Sequence, residues 1–445
     1  MAASACILDL LTGLPLLRKL FPNVYEGWLV VWSVALIVTM VGAAFFYGFG
    51  LMFTPIVDEF GWSNAAVSFA FSLRTEAGGL AAPLVGVGID RIGPKRVLLA
   101  GVVTMALGVF AMSFMQTLWQ FYGAMVIIAV GTSSAGGQVG LAATATWFER
   151  RRGRAMSVMT LGGGIAGTLV IGVAWLVDLA GWRGALRIIG IVVLLVGLPI
   201  GLNVRNRPAG HPQPMDGAPG VEAPGDGDRR RFEWGIPPRR ALRTRAFVLL
   251  AIGTAGMGFG TTALVVHQVP FLESKGISSG VAGSTVAVFT LTSVIGRLGF
   301  GYLADRFDKR LVLATSLALT AIGLPLLALV EELWQAILVL MIIAPGFGGS
   351  IPVRPALVAD QFGTRYFGTM NGFLVLVMTV GSFFGPLVVG RIVDVTDEYT
   401  LGWLAAAGVV ALAVPAVLLA RRPAALIERY GVPAAELPAA VRGGD

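Results

Sequence analysis

The chain has 445 residues, of which 56% are apolar and only 13% charged, and its mean hydropathy is +0.80. That composition excludes a water-soluble globule, which needs far more polar surface to cover its apolar content. The net charge of +8 raises nucleic acid as a partner, so the placement of the charges has to decide.

A hydrocarbon layer about 30 Å thick takes roughly 20 apolar residues per helix. Runs of that kind predict twelve membrane helices, over 28–53, 65–89, 97–115, 119–146, 155–177, 185–203, 246–270, 279–303, 311–330, 333–359, 367–391 and 400–420. The runs are continuously apolar and rich in Gly rather than alternating, so a β-barrel is excluded and the fold class is an all-α membrane protein. Residues 1–20 contain a short apolar stretch, but Arg18 and Lys19 follow it, which reads as a cytoplasmic tail rather than a cleaved signal. Cys6 is the single cysteine, so neither a disulfide framework nor a cysteine metal site is expected, and the sequence implies no cofactor.

Between the sixth and seventh runs the composition changes. Residues 205–245 interleave Pro208, Pro212, Pro214, Pro219 and Pro224 with Gly, Asp and the run Arg229-Arg230-Arg231, and read as a weakly ordered cytoplasmic linker. The expected organisation is a six-helix bundle over 1–204, a linker over 205–245, a second bundle over 246–422 and a polar tail over 423–445. Of the 33 Lys and Arg, four (Arg183, Arg187, Lys275 and Arg391) fall on odd-numbered connections or on the span ends that border them, and Arg74, Arg297 and Arg354 fall deeper within spans. The rest lie on even-numbered connections and the termini, so the basic excess reads as a topology signal with both termini cytoplasmic, not as a nucleic-acid footprint.

One string occurs twice. Gly86-Val-Gly-Ile-Asp-Arg-Ile-Gly-Pro-Lys-Arg96 follows the second span, and Gly301-Tyr-Leu-Ala-Asp-Arg-Phe-Asp-Lys-Arg310 follows the eighth. Asp90, Arg91, Lys95 and Arg96 thereby match Asp305, Arg306, Lys309 and Arg310, which marks a duplicated architecture. These turns have a gating reading, in which Asp90 meets a helix N-terminus or an arginine, and Arg91, Lys95 and Arg96 pair with carboxylates such as Glu149. They also have a plain one, retention by the positive-inside rule. Gly162-Gly-Gly-Ile-Ala-Gly167 satisfies the dinucleotide-binding pattern, but no strand precedes it; helix packing through Gly163 and Gly167, and likewise Gly256 and Gly260, explains it better. No nucleotide-binding P-loop string occurs. No nucleophile–base constellation or metal-ligand spacing is present either, so an enzyme is not expected.

Twelve spans in two halves with this duplicated turn resemble the major facilitator superfamily, over nearly the whole chain; Asp308, where the first copy has Gly93, departs from the pattern. The opening Gly27-Trp-Leu-Val-Val and Tyr47-Gly-Phe-Gly through Trp62-Ser63 is similar to monocarboxylate-transporter-type and oxalate/formate-exchanger-type members. So are Trp147–Ala155, His267–Gly276 and Phe362–Gly368. The resemblance implies a monomeric multi-pass protein, placed here in a bacterial inner membrane, whose two bundles rock about a midplane cavity. It would move a small organic anion with a proton.

Ionisable groups at membrane depth are the site candidates. Arg297 lies two turns, about 12 Å, above Asp305. In the resembling branch an eighth-span arginine holds the substrate carboxylate, and a guanidinium fork suits that ligand; a structural arginine is the alternative. Arg74 lies about 24 Å from Asp90, with Glu76 two positions on and therefore on another face. Glu76 is read as a proton acceptor or as an interhelical clamp. His267 titrates in the right range for coupling but sits near a span end, where gating or an interfacial role fits as well. Arg354, between Pro352 and Pro355 near the inner end of the tenth span, snorkels, clamps a broken helix or touches substrate. Trp28, Trp32, Trp62, Trp119, Trp182 and Trp334 are expected as interfacial anchors. Ser293 replaces the aspartate that animal monocarboxylate transporters carry one turn before the arginine, and the eleventh span has no lysine, which disfavours a doubly charged substrate. An organic-anion antiporter, an exporter of an apolar compound and a transport-inactive receptor remain as alternatives.

Overall fold

The structure is a computed structural model describing residues 24–206, 216 and 234–430. The expected N-terminal tail with Cys6, most of the linker including Arg229–Arg231, and the tail beyond 430 lie outside the described residues. No extended strand occurs among those described, and the helices are α1 (Glu26–Phe60), α2 (Asn64–Ile92), α3 (Pro94–Ser113), α4 (Leu118–Trp147), α5 and α6 (together Arg152–Leu202), α7 (Arg245–Ser274), α8 (Ser279–Ala304), α9 (Lys309–Leu327), α10 (Leu333–Phe362), α11 (Phe367–Thr396) and α12 (Thr400–Leu419). Ten continuous helices are long and apolar enough to cross a membrane. One of them runs from Arg152 to Leu202 and holds two spans, because Gly181 adopts φ +66° and breaks it. The more highly charged α2 completes the twelve expected spans.

Local sequence explains the helix ends. Ser63 caps α2, accepting from the Ala66 N–H at 3.2 Å, and Thr244 caps α7, accepting from Phe247 at 3.1 Å. Two capping boxes recur at equivalent places in the two halves. Thr117-Leu-Trp-Gln120 opens α4 and Glu332-Leu-Trp-Gln335 opens α10, each with its glutamine reaching back to the cap N–H. The tryptophans of these boxes, Trp119 and Trp334, are exposed, as anchors should be. Trp182 is not an anchor: it is buried, and its indole N–H donates to Glu59 at 2.7 Å.

The chain divides into two units, one of Met1–Phe148 with Val158–Arg207, the other of Glu149–Ser157 with Pro208–Asp445. Within the first, Gly101 of α3 approaches the backbone of Ser134 and Ala135, and Gly131 of α4 approaches Met105. In α5 the close approach falls at Gly162, against the Ala35 carbonyl of α1, while a Cβ on Gly167 would meet nothing. The expected packing at Gly167 is therefore corrected, and the close approach is made by Gly162, one residue or about 100° from Gly163. In the second unit Gly256 and Gly260 do face α12, and Gly381 and Gly385 let α11 approach Ala255 and Phe259 of α7. Small residues of this kind let membrane helices gain dispersion contact where no hydrophobic drive exists between them.

The far end of the linker is ordered, against expectation. Gly235 forms an antiparallel bridge with Gly363, Ile236 donates to the Phe362 carbonyl at 3.0 Å, and Pro238–Ala241 makes a helical turn.

Candidate functional site

Arg297 stands on α8, 8% exposed, seven residues and hence about 10 Å from that helix's C-terminal end. Its surroundings are fixed by close backbone contact: Gly296 packs on Pro345 of α10, and Gly348 on the Ser293 carbonyl. The Ser293 hydroxyl donates to Thr290 of its own helix at 2.7 Å, so the position one turn before Arg297 offers no charge. The Ser157 hydroxyl donates to the Arg297 carbonyl at 2.6 Å, which ties the start of α5 to the backbone that carries the guanidinium.

Below Arg297 the second copy of the repeated turn forms a buried electrostatic cluster. Asp305, whose side chain is 1% exposed, accepts from the Gly153 N–H at 2.7 Å, the Arg154 N–H at 3.2 Å and Arg154 Nε at 2.9 Å. A Cβ on Gly301 would collide with Ser157, so glycine is needed for this approach. Burial pushes the Asp305 carboxyl above its ordinary value, and the bonds from Arg154 and Gly153 act against that push. Asp360 of α10 binds Arg152 and accepts from Lys309 Nζ at 2.5 Å. Asp216, at φ +59° and buried, accepts from three successive N–H groups, Glu149 (3.0 Å), Arg150 (2.9 Å) and Arg151 (3.4 Å). Three carboxylates from distant positions thus hold the single segment Glu149–Ser157 inside the second unit.

The departure at Asp308 has a local reason. Asp308 sits at φ −57° as the cap of α9, accepting from the Arg310 N–H at 2.8 Å and pairing with Arg310 Nη2 at 2.6 Å. Against the upward push of burial, the Arg310 bonds hold its carboxyl below the ordinary range. Arg306 lies over the Tyr302 ring at 4.2 Å. In the first copy Gly93 ends α2 at φ +85°, which a side chain resists, Lys95 Nζ donates to the Leu202 carbonyl at 2.6 Å, and Arg91 and Arg96 are exposed. Gly86 is buried.

The remaining candidates are dispersed. Arg74 of α2 is buried, with its guanidinium 4.9 Å from the Phe71 ring, and Phe71 stacks on Phe49 at 5.3 Å. Glu76 is half-buried and makes no hydrogen bond or ion pair among the described residues, so it is not paired with Arg74. His267 Nε2 lies 3.0 Å from the Pro386 carbonyl, and its ring meets Tyr399 edge-on at 5.8 Å. That links the outer parts of α7 and α11. Arg354 is buried on α10, with Nη1 3.6 Å from Met378 Sδ.

Sequence reading missed Asp360, Arg152, Arg154, Ser157 and Asp216. The run Arg150–Arg154 had registered as basic loop charge and as part of a resembling string; the acidic partners that would have marked it lie 151 and 208 residues away or in the linker. The cluster of Glu59 with Arg183 (2.9 Å) and Trp182 was missed for the same reason.

The family model of the major facilitator superfamily matches residues 35–271 and 248–441, one match over each half. The chain belongs to the major facilitator superfamily. It is thus an integral multi-pass membrane transporter of a small molecule and not an enzyme. Human monocarboxylate transporter 11 is 26% identical over 85% of this chain and 79% of its own length. The oxalate:formate antiporter of Oxalobacter formigenes is 23% identical over 76% and 78%. Among solved structures, the superfamily transporter FucP in its outward conformation superposes with a TM-score of 0.68 at 14% identity, covering 89% of this chain and all of FucP; it speaks for the fold alone.

Proposed function

We propose that this transporter carries a small monocarboxylate together with a proton, by alternating access, with Arg297 as the anchor of the carboxylate. The observation that carries the reading is Arg297 itself: a permanent cation buried two turns inside α8, on a backbone held rigid by Gly296 and Ser157, with serine rather than aspartate one turn before it. A guanidinium there offers a planar pair of donors to one carboxylate. The name of the human relative agrees with that substrate class, and that of the Oxalobacter relative pairs a monocarboxylate, formate, with a dicarboxylate, oxalate. Arg74 and Arg354 are secondary candidates for substrate contact.

Glu76 is the better proton carrier. Its carboxylate has no partner to hold it ionised, whereas His267 lies against the Pro386 carbonyl and serves as a tie between helices. The Asp305 and Asp360 clusters are the inner latch, with Asp90, Arg91, Lys95 and Arg96 as its counterpart in the first half. Both termini are cytoplasmic, the membrane is a bacterial inner membrane, and the working form is a monomer with bundles at 1–204 and 246–422. Exchange of two organic anions is the second reading, favoured by the Oxalobacter relative.

The test is uptake of labelled pyruvate into vesicles of reconstituted full chain with the interior pH followed at the same time. Uptake should acidify the interior, and Glu76→Gln should abolish acidification while sparing exchange. Uptake without acidification would remove proton coupling; no uptake of any monocarboxylate would remove the substrate class.

A further inference from the structure

The second unit contains four other buried or half-buried cations whose charge is answered: Arg152 and Lys309 by Asp360, Arg154 by Asp305, Arg310 by Asp308. Arg354 is answered by nothing. It is 6% exposed, its Nε has no hydrogen-bond partner, and no carboxylate pairs with it among the described residues. Its polar contact is the thioether of Met378, a weak acceptor.

A guanidinium keeps its proton at any working pH, so it cannot escape by neutralisation as a lysine would. Burying one ion without a counter-ion costs several kcal/mol, and a sequence that merely needed to fill the space would do better with Met or Leu. The helix around it is weak: Pro345, Pro352 and Pro355 each remove an N–H donor from α10. Across from it, the face of α11 that carries Met378 bears Asn371 seven residues earlier, since seven steps of about 100° return to the same side. Asn371 is fully buried, and neither its amide nitrogen nor its oxygen is hydrogen-bonded. Unsatisfied polar groups therefore stand on both helices.

We propose that Arg354 is a second anion-binding station, separate from Arg297, whose missing counter-ion is a compact monovalent anion. The inference rests on the reading of this chain as a carrier of organic anions. That anion is either the carboxylate cargo at a second stop or an inorganic ion such as chloride. On this basis the bare charge is tolerated because an occupant neutralises it during part of the transport cycle.

The experiment measures thermal stability of the purified full chain in a buffer free of small monovalent anions, titrated with pyruvate or with chloride, for the wild type, Arg297→Gln, Arg354→Gln and the double variant. The expected result is that Arg297→Gln keeps an anion-dependent rise, while adding Arg354→Gln removes it or weakens its half-saturation by roughly tenfold or more. Without anions, Arg354→Gln should be as stable as the wild type or more so, because it deletes an unbalanced charge. A response to pyruvate alone marks the cargo as occupant, and an equal response to chloride marks an inorganic ion; either supports the station. An anion response identical with and without Arg354, or an Arg354→Gln protein clearly less stable than the wild type in anion-free buffer, overturns it. Should Arg297 alone account for the response, the carrier reading stands and this station falls; if the wild type responds to no anion, both fall.

Discussion

The two copies of the repeated turn share residues but not work. After α2, Gly93 at φ +85° makes the bend, Lys95 ends on a backbone carbonyl and the arginines face outward. After α8, Arg306 is exposed as well, but the other positions join a polar network: Asp305 binds two backbone N–H groups and Arg154, Lys309 reaches Asp360, and Asp308 turns the corner as a helix cap. The asymmetry continues upward. Where the second half has Arg297 the first has Ala82, fully buried, whose carbonyl accepts from Gln138 at 3.0 Å. A duplicated scaffold thus fixes where a turn falls, while single substitutions decide whether that turn latches and whether the helix above it carries a charge.

That contrast can be broken by mutation. The largest effect is expected from Arg297→Ala, which should lower labelled-pyruvate uptake by at least about a hundredfold, the worth of two charge-assisted hydrogen bonds; Gln138→Ala beside Ala82 should leave uptake within a few fold. Next, Asp360→Asn strands Arg152 and Lys309 in a buried site and should destabilise the protein by about 3 kcal/mol in a thermal or denaturant assay, since breaking one side of a buried ion network is costly. A smaller loss, about 1–2 kcal/mol, is expected for Gly93→Ala, which forces a Cβ into the left-handed region and against the Asn206 amide; no loss there would show that the first turn is not conformationally fixed.

The smallest effect is on pH dependence. Because burial raises the Asp305 carboxyl above its unfolded value, the folded state holds this proton more tightly. The associated stability is complete in acid and is lost as pH rises from the ordinary aspartate value through the raised one. Melting curves across that window should fall with pH more steeply for the wild type than for Asp305→Asn; the opposite slope would contradict the assignment of burial as the dominant cause.

How much of this was legible in sequence depended on the range of the interaction. All twelve helices could be read from apolar runs, because a bilayer imposes its thickness on any span regardless of partners. Depth along a helix was legible too, so Arg297 and Arg74 emerged as membrane-depth charges, whereas Arg354, expected near a span end, is buried. What pairs with what was not. Asp360 looked like an acidic residue near a span end, Asp216 like one polar residue in a linker, and Gly167 like the packing glycine that Gly162 turns out to be; each depends on helix rotation or on contacts far apart in the chain. The capping boxes at Thr117–Gln120 and Glu332–Gln335, which mark the duplication at a second point, went unread.

Equilibrium binding of radiolabelled pyruvate to the purified protein, in the wild type and in Arg297→Gln at one pH, tests most directly whether Arg297 holds the carboxylate. The expected result is saturable binding by the wild type, displaced by lactate but not by the uncharged methyl ester of pyruvate, and clearly diminished in Arg297→Gln. Undiminished binding by Arg297→Gln, or equal displacement by the ester, would contradict it.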